Sequence, residues 1–368
     1  MRALVVFADA MGPDQLAASG LGSLPHRRAL DGVLGYSSGA LATILTGAQP
    51  EVHGRMCLFA QGAGAPGLLA PLSWLGLLPR IVHERGAVRR RVARWFARWQ
   101  GLTGYLALHR VPPADFRWLD IPEREDLFQA PRIGPAQTFL ARAREAGLSV
   151  YASPWQLPER ERWAAAHAAL SAAPPELAFL YAADLDAALH DEGADGPRTR
   201  AARKSLAENV DRARSLMSRG GDCLTLVVGD HGMAEVKRAI DPRPLVKRLR
   251  GLRSFVDSTL LRLWGPEAAL QDAARLLSDL PGRLLGRADL QQRRAPVEGD
   301  PYGSAIFVLD EGHLFAPSYA GGRVRGMHGY DLGSPSSKAA VASDVALPEG
   351  VQGLADLAPL ICRTLGLA

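Results

Sequence analysis

The chain has 368 residues, which is enough for one large α/β domain with insertions or for two ordinary domains. With 47% apolar and 22% charged residues, its composition is that of a globular protein and excludes a wholly disordered chain. The formal net charge of +5 suits an anionic substrate or an anionic surface and says nothing about the fold.

Residue patterns argue against three further features: cysteine-based cross-links or zinc sites, a membrane span and a signal peptide. The three cysteines, Cys57, Cys223 and Cys362, are far apart and form no CxxC pair, which argues against a disulfide framework and a cysteine zinc site. The sequence contains no apolar run long enough to predict a membrane span. The apolar residues 4–7 are too few for a signal peptide and are soon followed by Asp9, so we expect a buried first strand and a cytoplasmic protein.

Short apolar strands alternate with longer helical patterns along much of the chain. The clearest strands are at 3–8, 149–152, 177–181 and 224–229, and the clearest helices are at 134–146, 199–218 and 354–365. This alternation predicts an α/β fold in which a central, mostly parallel sheet carries helices on both faces.

Two stretches interrupt this alternation. Residues 55–128 are too many for a simple crossover and predict an inserted cap. Residues 242–319 contain strand-like segments at 258–264 and 304–309 and predict a small α+β subdomain. The catalytic core is then expected to comprise residues 1–54, 129–241 and 320–368.

Two polar residues early in the chain lie where α/β proteins place their sites. Asp9 ends the first predicted strand, at the carboxyl edge of the sheet. Ser37 begins a predicted helix that ends at Thr46 and Gly47, and the start of a helix suits phosphate because of its dipole and free N–H groups. Each residue has a simpler interpretation, since strand-end aspartates and helix-start serines commonly cap helices.

Later segments supply further carboxylates and imidazoles. Asp186 and His190 share one face if their segment is helical; Asp184 competes for the carboxylate role, and a salt bridge is the simpler interpretation. Asp230 and His231 follow an apolar strand. His328 lies between Met327 and Gly329 in a glycine-flanked segment that frees the backbone. The other histidines considered are expected to be surface or packing residues: His26, His83, His109, His167 and His313.

Taken in order, these segments resemble the alkaline phosphatase superfamily and, within it, the nucleotide pyrophosphatase/phosphodiesterase branch. Residues 7–14 are similar to its strand-Asp-Gly-x-x-Pro-Asp pattern, with Ala10 in place of glycine. Residues 46–54 fit its Thr-Gly-x-x-Pro-x-x-His-Gly pattern, and the superfamily nucleophile lies nine residues before that threonine, which selects Ser37 over Ser38. Three more segments carry the resemblance: 186–193, with Leu189 in place of a glycine, 229–233 and 328–331.

The resemblance implies an alkaline phosphatase-like fold and a hydrolase that cleaves phosphodiester or pyrophosphate bonds through a phosphoserine on Ser37. Two divalent cations would assist, most readily zinc, with manganese as the alternative. One cation would be held by Asp9, Ser37, Asp230 and His231, and the other by Asp186, His190 and His328. The partner would be a small phosphorylated substrate.

One departure from the pattern of this branch weakens the inference about the substrate class more than the inference about the reaction type. The branch has an asparagine three residues after the nucleophile, where this chain has Ala40. The backbone N–H of Ser38 or a cap arginine would have to replace that donor. A sulfatase is excluded because Gly39 and Leu41 stand where its pattern needs proline and arginine. The alternatives are a phosphomonoesterase, a phosphonate hydrolase, a phospho-group transferase to an alcohol, and a non-catalytic binding protein.

The cap is rich in arginine. Eight arginines lie within 80–110, and Val88, Val92, Trp95, Phe96 and Trp99 fall on one face at helical spacing. Three interpretations are open: a lid helix docked by its apolar face, contact with a phosphate-rich substrate, and contact with an anionic membrane surface. We expect no dedicated nucleic-acid partner, because no recognition motif accompanies the arginines.

Overall fold

The computed structural model describes residues 1–64 and 66–367 of the chain. Ten strands form the two main sheets, and in chain order they are β1 (Arg2–Ala8), β2 (His26–Leu30), β3 (Val150–Ala152), β4 (Leu177–Ala182), β5 (Cys223–Val228), β6 (Arg253–Val256), β7 (Leu260–Trp264), β8 (Gly282–Leu285), β9 (Ala305–Leu309) and β10 (Ala339–Ser343).

The helices are more numerous on the core than on the insertions. In chain order they are α1 (Pro13–Ala17), α2 (Ser37–Thr46), α3 (Pro50–His53), α4 (Arg80–His83), α5 (Gly86–Gln100), α6 (Phe139–Glu145), α7 (Glu159–Ala172), α8 (Asp184–Glu192), α9 (Pro197–Ser218), α10 (Arg243–Val246), α11 (Glu267–Leu277), α12 (Arg287–Gln292) and α13 (Leu357–Thr364). Four 3₁₀ segments complete the set: Ala70–Leu77, Pro113–Arg117, Pro335–Ser337 and Leu354–Asp356.

The central sheet has six strands in the order β2-β10-β5-β1-β4-β3. The pairs β1–β4, β1–β5 and β3–β4 are parallel, whereas β10 is antiparallel to both β5 and β2. The predicted α/β fold with a mostly parallel sheet is therefore confirmed. The sheet is not wholly parallel, because β10 is antiparallel to both of its neighbours.

Strand β1 explains why its sequence is a continuous apolar run. Ala3, Val5 and Phe7 pack into the apolar cluster on one face of the sheet, under α2, α6 and α13. Leu4 and Val6 pack into the cluster on the other face, under α7 and α9. A strand buried on both faces has no position for a polar side chain until it ends.

Three predictions of local structure were incomplete. Strands β2 and β10 were missed because β2 is a charged edge strand and β10 consists mostly of small residues, which have low strand propensity. The helix expected from residue 134 begins only at Phe139, because Arg132–Ile133 and Ala136–Gln137 pair as a hairpin. The Thr138 hydroxyl then accepts from the Ala141 N–H and caps the helix.

The two insertions each have an apolar cluster. In the cap segment 55–128, Leu72, Leu75 and Phe96 form a cluster that also takes in Phe255 and Trp264. In segment 242–319, strands β6-β7-β9-β8 form an antiparallel sheet with α11 against it. Within the described residues, no helix is both long and apolar enough to cross a bilayer.

Minor two-stranded ribbons connect these parts. They pair Ala60–Gln61 with Leu119–Asp120, Ala234–Glu235 with Gly326–Met327, and Arg238–Ile240 with His313–Phe315. The second ribbon holds the segment before His328 beside the chain that follows Asp230 and His231. It thereby carries a residue from late in the sequence to the edge of the central sheet.

Candidate active site

The carboxyl ends of β1, β4 and β5 meet at one edge of the central sheet. Phe7 pairs in register with both Tyr181 and Val228, so the three strands end at the same level. The Asp9 N–H donates to Ala182 O at 2.9 Å, which fixes Asp9 directly beyond the strand. Residues just after these strands therefore converge, as strand ends do in parallel sheets.

Four predicted metal ligands form the first group at this edge. His231 Nε2 lies 3.2 Å from Asp230 Oδ2 and 3.7 Å from Asp9 Oδ1. Ser37 Oγ lies 3.1 Å from His231 Nε2 and 3.4 Å from Asp9 Oδ1. Ser37 is the first residue of α2, so its hydroxyl combines a helix start with a cluster of carboxylate and imidazole groups.

The other three predicted ligands form a second group beside the first. Asp186 and His190 lie on α8, and Asp186 Oδ1 is 3.3 Å from His190 Nε2 and 4.0 Å from His328 Nε2. The rings of His328 and His231 stack with 3.6 Å between their centroids. The structure thus brings all seven predicted ligands together, while their role as ligands stays a prediction.

Two of the imidazoles are oriented by backbone carbonyls. His190 Nδ1 is 2.8 Å from Gly326 O, and His231 Nδ1 is 2.8 Å from Gly232 O. A proton on Nδ1 that is donated to a carbonyl leaves the Nε2 lone pair facing the site, which is the usual arrangement of a histidine that ligates a metal.

The electrostatics of the site favour positive charge. Burial, followed by Asp230 and Asp186, raises the pKa of the Asp9 carboxyl well above its usual value. Burial lowers the pKa of the His231 imidazole, but Asp230, Asp9 and Asp186 outweigh this and raise it to about 10. Without a cation, a protonated His231 supplies the charge that balances these carboxylates.

Donor atoms in two sets fit divalent cations. The described residues supply Asp9, Asp230 and His231 in one set and Asp186, His231 and His328 in the other, with donor atoms within 4.8 Å of one another in each. Asp230 Oδ2 and Asp186 Oδ1 are buried and accept no hydrogen bond of good geometry from the described residues, although His231 Nε2 and His190 Nε2 lie 3.2 Å and 3.3 Å away. A cation bound by these oxygens would compensate for their burial.

Gly329 allows His328 to lie against the rest of the site. Its φ is +85°, and a Cβ at this position would come within 2.5 Å of Tyr36 Cε1. The Tyr36 hydroxyl is held in turn by Thr259, with 3.0 Å between the two side-chain oxygens. A residue other than glycine would therefore displace Tyr36, which immediately precedes the proposed nucleophile.

A cavity of about 490 Å³ opens over Ser37, and several of its lining side chains are aromatic. The cap supplies Phe59, Tyr105 and Phe128, the core supplies Trp155 and Tyr181, and the subdomain supplies Phe255. No arginine or lysine is among the described lining residues. The described lining therefore offers no cap arginine in place of the missing asparagine, and it gives no support to contact between the cap arginines and a substrate in this cavity.

Several cavity residues were missed from the sequence. His109 was expected to be a surface or packing residue but lines the cavity beside Phe59. The Tyr181 hydroxyl donates to Asp9 Oδ2 at 3.3 Å. Tyr181 was detectable as the last polar residue of a strand that runs parallel to β1, whereas no pattern distinguished His109. His83 and His167 are buried packing residues, as expected.

The comparisons with known proteins agree with this geometry. The family model of type I phosphodiesterase/nucleotide pyrophosphatase matches residues 154–331. The chain is therefore similar to this family over that segment. The matched segment contains Asp186, His190, Asp230, His231 and His328, and it excludes Asp9 and Ser37. The resemblance inferred from the sequence is confirmed, and with it the enzyme class, a phosphoric ester hydrolase.

Solved structures show the same fold over the whole chain. Mouse ectonucleotide pyrophosphatase/phosphodiesterase 5 has a TM-score of 0.70 and 16% identity, with 100% of this chain and 96% of that chain covered. The human protein of the same name has a TM-score of 0.68 and 14% identity over the same shares. An inactive variant of the mouse protein in complex with AMP has a TM-score of 0.69, 15% identity and the same shares. No curated protein matches the chain in sequence. At this identity the likeness establishes the alkaline phosphatase-like fold, as predicted.

Proposed function

We propose that this protein cleaves phosphodiester or pyrophosphate bonds by transferring the phosphoryl group first to Ser37 and then to water. The observation that carries the proposal is the position of Ser37 Oγ, at the start of α2 and within 3.4 Å of both Asp9 and His231. A hydroxyl so placed faces the anionic substrate from the positive end of a helix dipole.

The residues present fit two divalent cations. Asp9, Ser37, Asp230 and His231 would hold one, and Asp186, His190 and His328 would hold the other. Such cations supply charge neutralisation at the phosphoryl oxygens and lower the pKa of a bound hydroxyl or water. The mixture of carboxylate and imidazole donors favours zinc and also accepts manganese.

In the covalent step the chain itself provides the nucleophile and the groups next to its proton. The Ser37 oxygen forms a bond to phosphorus while the bond to the leaving oxygen breaks, and the Ser37 proton has Asp9 Oδ1 and His231 Nε2 as neighbours. The leaving oxygen departs as an alcohol or a phosphate. Water then breaks the phosphoserine ester, releasing the phosphorylated product and restoring the hydroxyl.

Ser38 is our proposed replacement for the missing asparagine. Its Oγ is buried without a hydrogen-bond partner among the described residues, and Ser38 lines the cavity. The N–H groups of Gly39 and Ala40 already donate to Tyr36 O, so the helix-start N–H groups left for a phosphate are those of Ser37 and Ser38. A phosphoryl oxygen beside Ser37 would satisfy both the hydroxyl and the free N–H of Ser38.

The substrate is proposed to be a nucleotide or another small phosphodiester. The mouse relative was solved in complex with AMP. In this chain the cavity presents several aromatic rings, among them Phe128, Trp155 and Tyr181, which suit a flat ring system. These features support a ligand with a planar group next to its phosphate.

The test compares three chromogenic esters on zinc-loaded protein. We expect bis-p-nitrophenyl phosphate and the nitrophenyl ester of a nucleoside monophosphate to be cleaved faster than p-nitrophenyl phosphate. Ser37→Ala should reduce turnover at least about a thousandfold without a change in melting temperature, since it removes the nucleophile. Ser218→Ala, an exposed serine at the end of α9, is the matched control and should retain full activity. Faster cleavage of the monoester would instead indicate a phosphomonoesterase, and an active Ser37→Ala variant would refute the phosphoserine.

A further inference from the structure

Exposed apolar side chains are concentrated on the cap. Ten large hydrophobic residues of the described chain are exposed, and six of them lie in the 32 residues from Trp74 to Tyr105. These six are Trp74, Leu77, Ile81, Trp95, Trp99 and Tyr105. Leu77 is 87% exposed and Ile81 is 72% exposed, so they project from the surface rather than line a groove. A concentration of this kind indicates an interaction surface.

The same stretch carries a large excess of positive charge. It contains seven arginines and a single acidic residue, Glu84. Arg89 is buried, and its guanidinium donates to backbone carbonyls of the cap, including those of His83 and Val111. The other six are exposed: Arg80, Arg85, Arg90, Arg91, Arg94 and Arg98. Among the described residues, Arg80 is the member of this set that forms an ion pair, with Glu84.

Helix α5 turns its tryptophans outward. Arg89, Ala93 and Phe96 form its buried face. Trp95 and Trp99 were expected on that apolar face, but they are 53% and 57% exposed and their rings stack on each other with centroids 5.6 Å apart. The lid interpretation is therefore incomplete, because the helix docks by one face and still presents two large aromatic side chains.

Arginine and tryptophan alternate on that exposed face. Arg91, Trp95 and Arg98 follow at spacings of four and three residues, which places them on one side of the helix, and Trp99 adjoins them one turn after Trp95. Helix α4 and the 3₁₀ segment Ala70–Leu77, which carry Ile81 and Leu77, contact each other, and α4 contacts α5. The cap therefore presents tryptophan and aliphatic side chains together with guanidinium groups.

We propose that this surface, formed by the exposed side chains of residues 74–99, docks on a bilayer of anionic phospholipid. Tryptophan prefers the boundary between headgroups and acyl chains, Leu77 and Ile81 would enter the acyl region, and the arginines would meet lipid phosphates. Charge complementarity favours this partner, because each basic side chain near an anionic bilayer strengthens binding roughly fivefold. The cap would then act as a peripheral membrane anchor with no spanning helix.

One residue of the same exposed stretch, a few positions after this surface, also reaches the cavity. Tyr105 is 45% exposed and also lines the cavity over Ser37. The cap cluster that supports α5 also contains Phe59, another lining residue. Docking would therefore hold the cavity close to the bilayer surface.

The test is sedimentation of the full chain with sucrose-loaded vesicles of phosphatidylcholine, with and without about a third phosphatidylglycerol. At low salt we expect binding at least tenfold tighter to the anionic vesicles, and a large loss of binding in 0.5 M salt. Trp95→Ser with Trp99→Ser, and separately Arg90→Gln with Arg94→Gln and Arg98→Gln, should each weaken binding at least tenfold. Turnover of bis-p-nitrophenyl phosphate without vesicles should stay unchanged in these variants, which shows that they are folded.

Matched controls come from elsewhere on the surface. Arg160→Gln with Arg212→Gln and Arg219→Gln removes three exposed arginines that form no ion pair among the described residues, and Leu157→Ser with Val345→Ser removes two exposed aliphatic side chains. Both controls should bind anionic vesicles like the wild-type chain. Equal binding to both vesicle types, or equal losses in variants and controls, would overturn the proposal. So would a wild-type chain that stays unbound, including one that dimerises through Trp95 and Trp99 or that binds only RNA or heparin.

Discussion

Single buried oxygens mark the places where the site needs a ligand. Asp186 Oδ1, Asp230 Oδ2 and Ser38 Oγ are all buried and make no hydrogen bond of good geometry among the described residues, although each carboxylate oxygen has an imidazole Nε2 within 3.3 Å. The two aspartates were predicted from the sequence because segments 186–193 and 229–233 resemble motifs of a known family, although a salt bridge was the simpler interpretation of Asp186. Ser38 was considered only for its backbone N–H. Whether a hydroxyl is paired depends on distant chain segments, so its side chain was not predictable.

Ser38→Ala tests the proposed phosphoryl-oxygen donor. We expect kcat on bis-p-nitrophenyl phosphate to fall about 10- to 100-fold with KM nearly unchanged, because the lost hydrogen bond is strongest in the transition state. Stability should be unaffected or slightly raised, since an unpaired buried hydroxyl is removed. Steady-state kinetics and thermal unfolding measure the two effects. Ser38→Thr, which keeps the hydroxyl, should retain most of the activity, and a fully active Ser38→Ala would exclude the role.

At the scale of elements, most correct predictions of strands and site residues came from continuous apolar runs and from the polar residues that end them. Strands β1, β4 and β5 were recognised because burial on both faces leaves them continuously apolar. Edge strand β2 was not, because solvent on one side allows His26 and Arg27 to be exposed. The family-like residues 46–54 were recognised without a role for His53, and the structure supplies one.

His53 ties α3 to α2. Its Nδ1 accepts from the Arg55 N–H at 3.1 Å, so the proton is on Nε2, which donates to Thr43 Oγ1 at 2.9 Å. The Thr43 hydroxyl donates to Gly39 O at 3.0 Å. Burial, and then Arg55, lower the pKa of His53 to about 3. The imidazole is therefore neutral in the folded protein at every pH of ordinary use.

Acid should weaken this link. The folded pKa of His53 is below its unfolded value of about 6.5, so its stabilising effect is complete above pH 6.5 and is lost as the pH falls toward 3. Between pH 6.5 and pH 5, His53 should lower the free energy of unfolding by about 2 kcal/mol. Urea unfolding of the wild type and His53→Gln at both pH values measures the difference. Equal pH dependence in the two proteins would contradict it.

Strand β7 joins the subdomain to the cap through a buried charge. Arg262 is fully buried; its Nε lies 2.8 Å from Asp257 Oδ2, and its Nη1 donates to Phe59 O at 2.8 Å. Its guanidinium also lies over the Phe255 ring, 4.3 Å from the centroid. Both Phe59 and Phe255 line the cavity, so this ion pair positions part of the cavity wall.

Removing one member of the ion pair should lower the free energy of unfolding more than removing both members. Arg262→Met leaves Asp257 buried without its partner and should lower the free energy of unfolding by about 3–5 kcal/mol. Adding Asp257→Asn should recover part of this loss, because the unpaired charge is removed. Urea denaturation of the wild type, the two single variants and the double variant measures the coupling. Additive losses would show that the pair does not act as a unit.

At the scale of the whole molecule, segments from residue 9 to residue 328 meet at one sheet edge. This convergence was predictable, because parallel strands end together and the order of the segments resembles a known family. The cavity walls were not, since Phe59, His109 and Phe255 belong to insertions whose placement depends on packing between the cap and the subdomain. The outward tryptophans of α5 were missed for the same reason: helical spacing shows which residues share a face but not which part of that face is covered.

The binding of two cations by these seven residues is the central claim. Diffraction from crystals of zinc-loaded protein at the zinc absorption edge tests it most directly. The account predicts two anomalous peaks about 4 Å apart, one among Asp9, Ser37, Asp230 and His231 and the other among Asp186, His190 and His328. Chelation should remove both peaks and the esterase activity together. An absence of peaks among these side chains in protein that still turns over at the full rate would contradict the account.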